Sequence, residues 1–436
     1  VFAMADEKNW IREAMFYHIY PLGFTGAPLR NEGEATAGGR ILEVLDWIEH
    51  FKELGINAIY FGPIFESVSH GYDTTDYYQT DSRLGSKEDF KKVFTALHEN
   101  GIRVIVDGVF NHVGRKFFAF LDVQKNLEQS DYKDWFCNLN FSWQSPLGDS
   151  FSYENWHGAA ELVKLNLRNP AVCEHLLGAV GMWMDELGID GLRLDAADCV
   201  DREFFKRLHS FTKGKREDFW LMGEIIHGDY RVWANDEMLD SVTNYECWKG
   251  IYSSHNDKNY FEIAYSLKRQ FGQGGLYENL CLYNFLDNHD VNRIGSLLKQ
   301  RENLKNAYTL LYMMPGIPSI YYGSEWGIEG VKGQGMDADL PLRPKLDLEE
   351  MCAQETALPA HIRELAKIRK ESDAVKYGAY DEVLVRNKQF VFARRSGEQY
   401  KVIALNLTDH AETLHFSYQG KEYEVLLEAY TSKIME

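Results

Sequence analysis

Residues 188–197 read Gly188-Ile-Asp-Gly191-Leu-Arg193-Leu-Asp195-Ala-Ala197. The apolar stretch Ala171–Leu187 before them is long enough for a helix, and Gly188 follows it where a left-handed cap residue is expected. Gly191–Ala197 then reads as a strand with an acid near its carboxyl end. Side chains alternate along a strand, so Arg193 and Asp195 point to the same side.

Working outward, the same unit recurs. Strands are expected at Phe16–Pro21, Ala58–Pro63, Arg103–Phe110, Gly191–Ala197, Phe219–Ile225, Ser241–Glu246, Cys281–Leu286 and Ser319–Gly323. Several are apolar on both faces, as a buried parallel sheet requires. Between them lie helical patterns: Ile41, Val44, Leu45 and Ile48, then Phe90, Val93, Phe94 and Leu97, fall at i, i+3, i+4, i+7, and Asn303–Met314 is long enough for another helix. Gly55 and Gly101 follow two of these helices as Gly188 follows its own. Eight β-then-α units predict a closed α/β barrel, the (β/α)8 fold.

Two regions break the rhythm. Residues 112–166 form a long insertion after the third strand, rich in aromatics and turn residues and without a regular pattern of their own, which points to a functional segment. After Glu371 the pattern shifts to short alternating runs, Glu382–Arg386, Gln389–Arg394, Lys401–Leu407, Thr413–Tyr418 and Glu422–Leu427, which predict a small antiparallel β domain, a sandwich. The expected division is a barrel over 1–111 and 167–371, an inserted domain over 112–166 and a C-terminal domain over 372–436.

A net charge of −19 repels phosphate backbones and anionic membranes, so nucleic acid and membrane surfaces are excluded as partners and a neutral substrate fits. No apolar run approaches the ~20 residues of a membrane span. Cys137, Cys173, Cys199, Cys247, Cys281 and Cys352 are scattered without metal-ligand spacing, and free, mostly buried thiols are expected. No charged-then-apolar leader stands at Val1, and the sequence assigns no compartment.

Barrel enzymes place their chemistry at the carboxyl ends of the strands. Asp107, Asp195, Glu224 and Asp290 fall at four such ends, with His112, His289 and Arg193 beside them. One acid there is ordinarily a cap or a loop ion pair; four aimed at one mouth are not. Two chemistries remain on these residues alone. In one, a carboxylate attacks a sugar carbon while a partner acid protonates the leaving oxygen; in the other, acids hold Mg²⁺ against an enolate. The second predicts a capping domain before the barrel and a Lys base at a strand end, and neither is present in the pattern.

Asp107-Gly-Val-Phe-Asn111-His112, Gly191-Leu-Arg193-Leu-Asp195, Glu224 within Met222-Gly-Glu-Ile-Ile, and Asn288-His289-Asp290 resemble, in order and spacing, the four signatures of the α-amylase family, glycoside hydrolase family 13. The resemblance implies a retaining glycoside hydrolase acting on α-glucan oligosaccharides, with Asp195 as nucleophile, Glu224 as general acid and base, and Asp290 as the third carboxylate, gripping sugar hydroxyls. It implies hydrogen bonds from His112 and His289 to the same sugar, a stacking platform at Tyr72 with Asp73 fixing its loop, and a bracing role for Asp107 beside Arg193. It needs no cofactor for the chemistry and attaches a structural calcium to Asn111. A zinc role for the histidines lacks a third ligand at the right spacing.

Leu162-Val-Lys164-Leu-Asn166 and Gly223-Glu-Ile-Ile-His227 resemble the branch of neopullulanases, cyclomaltodextrinases and maltogenic amylases. His227, Asp339 and Arg343 are then donor-side sugar contacts, though Asp339 and Arg343 equally fit a loop ion pair. The resemblance leaves open an α-glucan transglycosylase, an α-glucosidase and a non-catalytic carbohydrate-binding relative. Departures are Ala196-Ala197-Asp198-Cys199 where many α-amylases continue with Lys-His, and Ile226 where that branch commonly has Trp. The barrel pattern begins near Phe16, without the N-terminal β domain through which many cyclomaltodextrinases dimerise, so a monomer or a non-swapped oligomer is expected. The first loop, Gly23–Gly39, lacks the Asp/Asn-rich pattern of a calcium loop.

Overall fold

The computed structural model describes residues 10–33, 38–354 and 357–436; the chain start, where a leader was sought, and part of the Gly23–Gly39 loop lie outside them. The barrel strands are β1 (Phe16–Ile19), β2 (Ala58–Phe61), β3 (Arg103–Gly108), β4 (Gly191–Leu194), β5 (Trp220–Gly223), β6 (Ser241–Val242), β7 (Tyr283–Phe285) and β8 (Ile317–Tyr321). All pair in parallel in the order β6-β5-β4-β3-β2-β1-β8-β7, and a parallel bridge from Thr243 to Tyr283 closes the ring. Each expected strand is present, and Gly55, Gly101 and Gly188 all adopt positive φ.

Alternation along these strands builds two layers. Phe16, Ala58, Ile105, Trp220, Met222 and Ile317 fill the barrel interior as one apolar cluster, while the intervening Tyr17, Ile59, Val104, Val106, Leu192, Leu194 and Leu221 pack outward into the main core. Two residues further along, the inward positions become polar: His18, Tyr60, Asp107 and Arg193, all buried. The register sets His18 beside Tyr60, Asp107 beside Arg193, and Arg193 beside Met222. Leu194 pairs with Gly223, so the next residues, Asp195 and Glu224, leave adjacent strands at the same height.

Several elements differ from the sequence reading. β6 is two residues long because the Asn244 side chain accepts from the Cys247 amide and starts a helix at Tyr245. β4 stops at Leu194 because Ala196 turns to φ 44°, outside the extended region. The first helical pattern begins as a 3-10 helix (Arg40–Trp47) before an α-helix (Ile48–Glu53). A hairpin, Phe65–Ser67 with Thr74–Thr80, follows β2 and presents Tyr72 from its connection. The insertion is not irregular: it carries a helix (Phe118–Asn126) and an antiparallel sheet of His112–Gly114, Ala159–Lys164 and Asn155–Trp156.

At the C-terminus, Ala379–Val385, Gln389–Ser396, Gln399–Asn406 and a further strand, Ser432–Met435, form an antiparallel sheet; Glu412–Tyr418 and Lys421–Leu427 form a hairpin. Val391, Val402 and Ala404 of the sheet share an apolar core with Leu414, Val425 and Leu427 of the hairpin. The chain is thus an α/β (β/α)8 barrel with an insertion after β3 and a C-terminal antiparallel β domain. All six cysteines are free, but only Cys173 and Cys247 are fully buried and Cys352 is exposed, fewer buried thiols than expected. Among the described residues no helix is long and apolar enough to cross a membrane.

Gly191 faces inward where β4 meets β5, and a Cβ there would lie 2.4 Å from the Trp220 carbonyl oxygen. Gly191→Ala is expected to cost roughly 1–3 kcal/mol of stability through backbone displacement. Denaturant unfolding with an unchanged slope would measure it.

Candidate active site

At the carboxyl ends of the strands lies a cavity of about 940 Å³ whose walls include Asp195, Glu224, Asp290, Tyr72, His112 and Arg343. That is the upper end of the size range for small-molecule sites.

Arg193 is buried behind the carboxyls that line it, 3% exposed. Its Nη1 donates to Asp107 Oδ1 (2.8 Å) and to Asp195 Oδ1 (2.9 Å), and its Nη2 lies 3.1 Å from Glu224 Oε2. One guanidinium therefore spans the carboxyl groups of Asp195 and Glu224. Glu224 Oε2 also accepts from the amide of Ala196, at 2.9 Å, which the positive φ of that residue turns toward it. Burial and neighbouring carboxylates push both carboxyls above the usual range, while Arg193 opposes the shift in each. Each therefore holds its proton to higher pH than a free carboxyl does.

Asp107 does not line the cavity. It accepts from Tyr60 (2.5 Å), Tyr72 (3.0 Å) and Arg193, a bracing position beneath the mouth. Tyr72 is also hydrogen-bonded to His289 Nε2 (2.5 Å), and the two rings lie nearly parallel, 5.6 Å apart. Asp73 fixes the Tyr72 loop by accepting from the amide and hydroxyl of Ser69. Asp290 meets His289 Nε2 at 3.3 Å and Arg343 Nη2 at 3.1 Å. Arg343 also reaches Asp339 (3.4 Å) and the His289 carbonyl (3.0 Å), and lies over the Tyr20 ring at 4.4 Å. Asp339 and Arg343 thus form a loop ion pair that also lines the cavity.

Burial holds His112 down to about 3 and His289 well below its ordinary value, so both imidazoles are neutral. The Asn111 amide meets His112 Nδ1 at 3.1 Å, which leaves the proton on Nε2, 3.9 Å from Asp195 Oδ2. Among the described residues His112 Nε2 has no protein partner.

The calcium attached to Asn111 by resemblance does not fit the residues present. Asn111 Oδ1 accepts from the Lys164 ammonium at 3.1 Å, and the same ammonium donates to the Cys199 carbonyl at 3.1 Å. A divalent ion on that oxygen would face a fixed positive charge at hydrogen-bond distance. Among the described residues no group of three or more His, Cys, Asp or Glu could hold a metal.

Two expected sugar contacts are absent from the cavity wall, His227 and the buried His289, whose Nε2 meets Tyr72 and Asp290. His227 is exposed and absent from the cavity wall, because β5 ends at Gly223 and Ile226 takes the position over the mouth. Of the insertion's aromatics, Trp143 is 67% exposed and absent from the cavity wall, whereas Trp156 lines it. Sequence reasoning missed Tyr20, Tyr245 and Trp248 on the wall. The last two are three residues apart on the helix after β6, hence on one face, and that spacing just past a strand end was the available signal.

The wall also carries the apolar side chains of Trp156, Leu162, Ile226, Trp248 and Val291, and it extends to Pro28 and Leu29.

Residues 18–343 match the family described as the alpha amylase catalytic domain. A cyclomaltodextrinase from a Bacillus species is 31% identical over 428 residues, covering 93% of this chain and 74% of that protein. Neopullulanase 2 from Thermoactinomyces vulgaris is 34% identical over 352 residues, 74% of this chain and 58% of that one. Among solved structures, the cyclic α-maltosyl-(1→6)-maltose hydrolase of Arthrobacter globiformis superposes with a TM-score of 0.85 at 26% identity, covering 98% of this chain and 99% of that one. With four strand-end signatures gathered at one mouth and the family matched across three-quarters of its length, the chain belongs to the α-amylase family, glycoside hydrolase family 13, and is a glycoside hydrolase.

Proposed function

We propose that this glycoside hydrolase cleaves α-1,4-glucosidic bonds of maltooligosaccharides and cyclic α-glucans by double displacement, with Asp195 as nucleophile and Glu224 as acid and base. The observation that carries the reading is the Arg193 guanidinium touching both carboxyls, which leave adjacent strands at one height. Retaining glycosidases hold their carboxyl groups about 5–5.5 Å apart, inverting ones roughly 6.5–9.5 Å to seat a water between them. Two carboxyls gripped by the prongs of one guanidinium suit the shorter spacing. The role of each follows the motif it occupies rather than the order in which the pair titrates.

In the first step Asp195 attacks the anomeric carbon through Oδ2, since Oδ1 is held by Arg193. The glycosidic C–O bond breaks, and the Glu224 proton passes to the leaving oxygen. In the second, Glu224 takes a proton from water, whose oxygen bonds to the anomeric carbon as the Asp195 ester breaks. His112 Nε2–H and Asp290 bind hydroxyls of the reacting sugar, with Tyr72 beneath it. The chemistry requires no metal. The substrate class is supported by relatives named cyclomaltodextrinase and cyclic α-maltosyl-(1→6)-maltose hydrolase.

Glu224→Gln keeps the shape but cannot supply a proton, so maltotriose turnover is expected to fall by about 10²–10⁴-fold with binding still measurable by calorimetry. Near-normal rates would refute the assignment. Proton NMR of freshly cleaved maltotriose, read before mutarotation, should show the α-anomer first; a β-anomer would exclude double displacement. Tyr72→Ala should raise KM and lower kcat together, whereas Trp156→Ala should shift the product pattern on maltotriose, cyclodextrin and pullulan more than the chemical rate, both read by chromatography.

A further inference from the structure

The mismatch at Asn111 extends beyond the absence of a place for calcium. Lys164 ends the central strand of the inserted sheet, directly across from His112. Its ammonium reaches two places that no covalent connection ties together: Asn111, just past β3, and the carbonyl of Cys199, which ends the single turn Ala197–Cys199 after β4.

Each contact leads to a group at the mouth. By donating to Asn111 Oδ1, Lys164 fixes which end of that amide faces away, so the amide nitrogen meets His112 Nδ1 and the imidazole proton stays on Nε2. By holding Cys199, Lys164 anchors the far end of the turn that starts at Ala196. Ala196 is kept at φ 44°, a conformation alanine rarely adopts, and its amide donates to Glu224 Oε2.

We propose that the Lys164 ammonium is a built-in cation that takes the place of a bound metal ion and acts as a positioning residue, holding the His112 tautomer and the Glu224 carboxyl in working geometry from the inserted sheet. This rests on Glu224 being the acid and base. Second-layer groups that orient active-site side chains change activity by about 10–100-fold when removed, and Lys164 acts at that distance from the substrate.

Lys164→Met keeps the apolar stem and removes the charge. Its kcat on maltotriose should fall about 10-fold or more with KM little changed, at wild-type circular dichroism. The groups facing Glu224 are Arg193, Asp107, Asp195, Asp290 and the Ala196 amide. Slackening that amide weakens a hydrogen bond to the carboxylate and so disfavours it, and the alkaline limb of kcat/KM should move to higher pH. Packing alone would not move that limb. Wild-type enzyme should keep its rate and melting temperature after exhaustive chelation and gain nothing from calcium.

A Lys164→Met enzyme with wild-type kcat and pH profile would overturn the positioning role, and chelation that inactivates the wild type reversibly with calcium would overturn the built-in cation. If Lys164→Met does not fold, Lys164→Arg carries the test: it retains charge but cannot seat a point ammonium between both oxygens, and wild-type behaviour in it is equally fatal. Glu224→Gln run in parallel separates the two readings, since its inactivity beside an unaffected Lys164 variant would sink this proposal alone.

Discussion

A single guanidinium facing three carboxylates constrains the rest of the molecule. Arg193 is buried against Asp107, Asp195 and Glu224. One positive charge cannot fully neutralise three negative ones, and burial with neighbouring carboxylates favours retention of a proton among the acids. Everything that fixes Arg193 therefore also fixes the protonation of the site. Asp107 is tied down by Tyr60 and Tyr72, and the guanidinium lies 5.8 Å above the Tyr60 ring. The Tyr60 ring in turn packs with Phe16, Ala58 and Tyr283 in the apolar cluster of the barrel interior.

The strand-period alternation that makes the barrel also makes the chemistry. Inward positions pass from Ile105 to Asp107, from Gly191 through Arg193 to Asp195, and from Trp220 through Met222 to Glu224. A one-residue slip of β4 would turn both Arg193 and Asp195 into the helical layer. Gly191 leaves no room for a side chain between β4 and β5, which opposes such a slip.

The barrel strands were legible because they are short runs bounded by turn residues and apolar on both faces. The strand-end acids were legible because their spacing matched four family signatures in order. What was hidden depended on tertiary partners. The Phe65–Ser67 hairpin strand has three residues, and Ser432–Met435 is half-exposed, so neither carries a clear period. The π-turn Trp183–Leu187 continues a helix without changing its hydrophobic pattern. Lys164 stood in plain view within a quoted motif, yet its meaning lies in the Cys199 carbonyl 35 residues away. His227 shows the converse: a residue placed by motif alone, which the chain turns outward once β5 has ended.

Burial of neutral imidazoles has a consequence for the folded state as a whole. Seven of the described histidines, His18, His70, His112, His175, His255, His289 and His361, are held below their ordinary value chiefly by burial. In the unfolded chain each binds a proton near pH 6.5. Below that pH the unfolded state takes up protons that the folded state refuses, and stability declines on acidification, chiefly through the fully buried His18, His112, His255 and His289. The contribution is intact above pH 6.5 and erodes on acidification. Buried imidazoles thus help set the acid limit of stability, and one of them, His112, also lines the cavity.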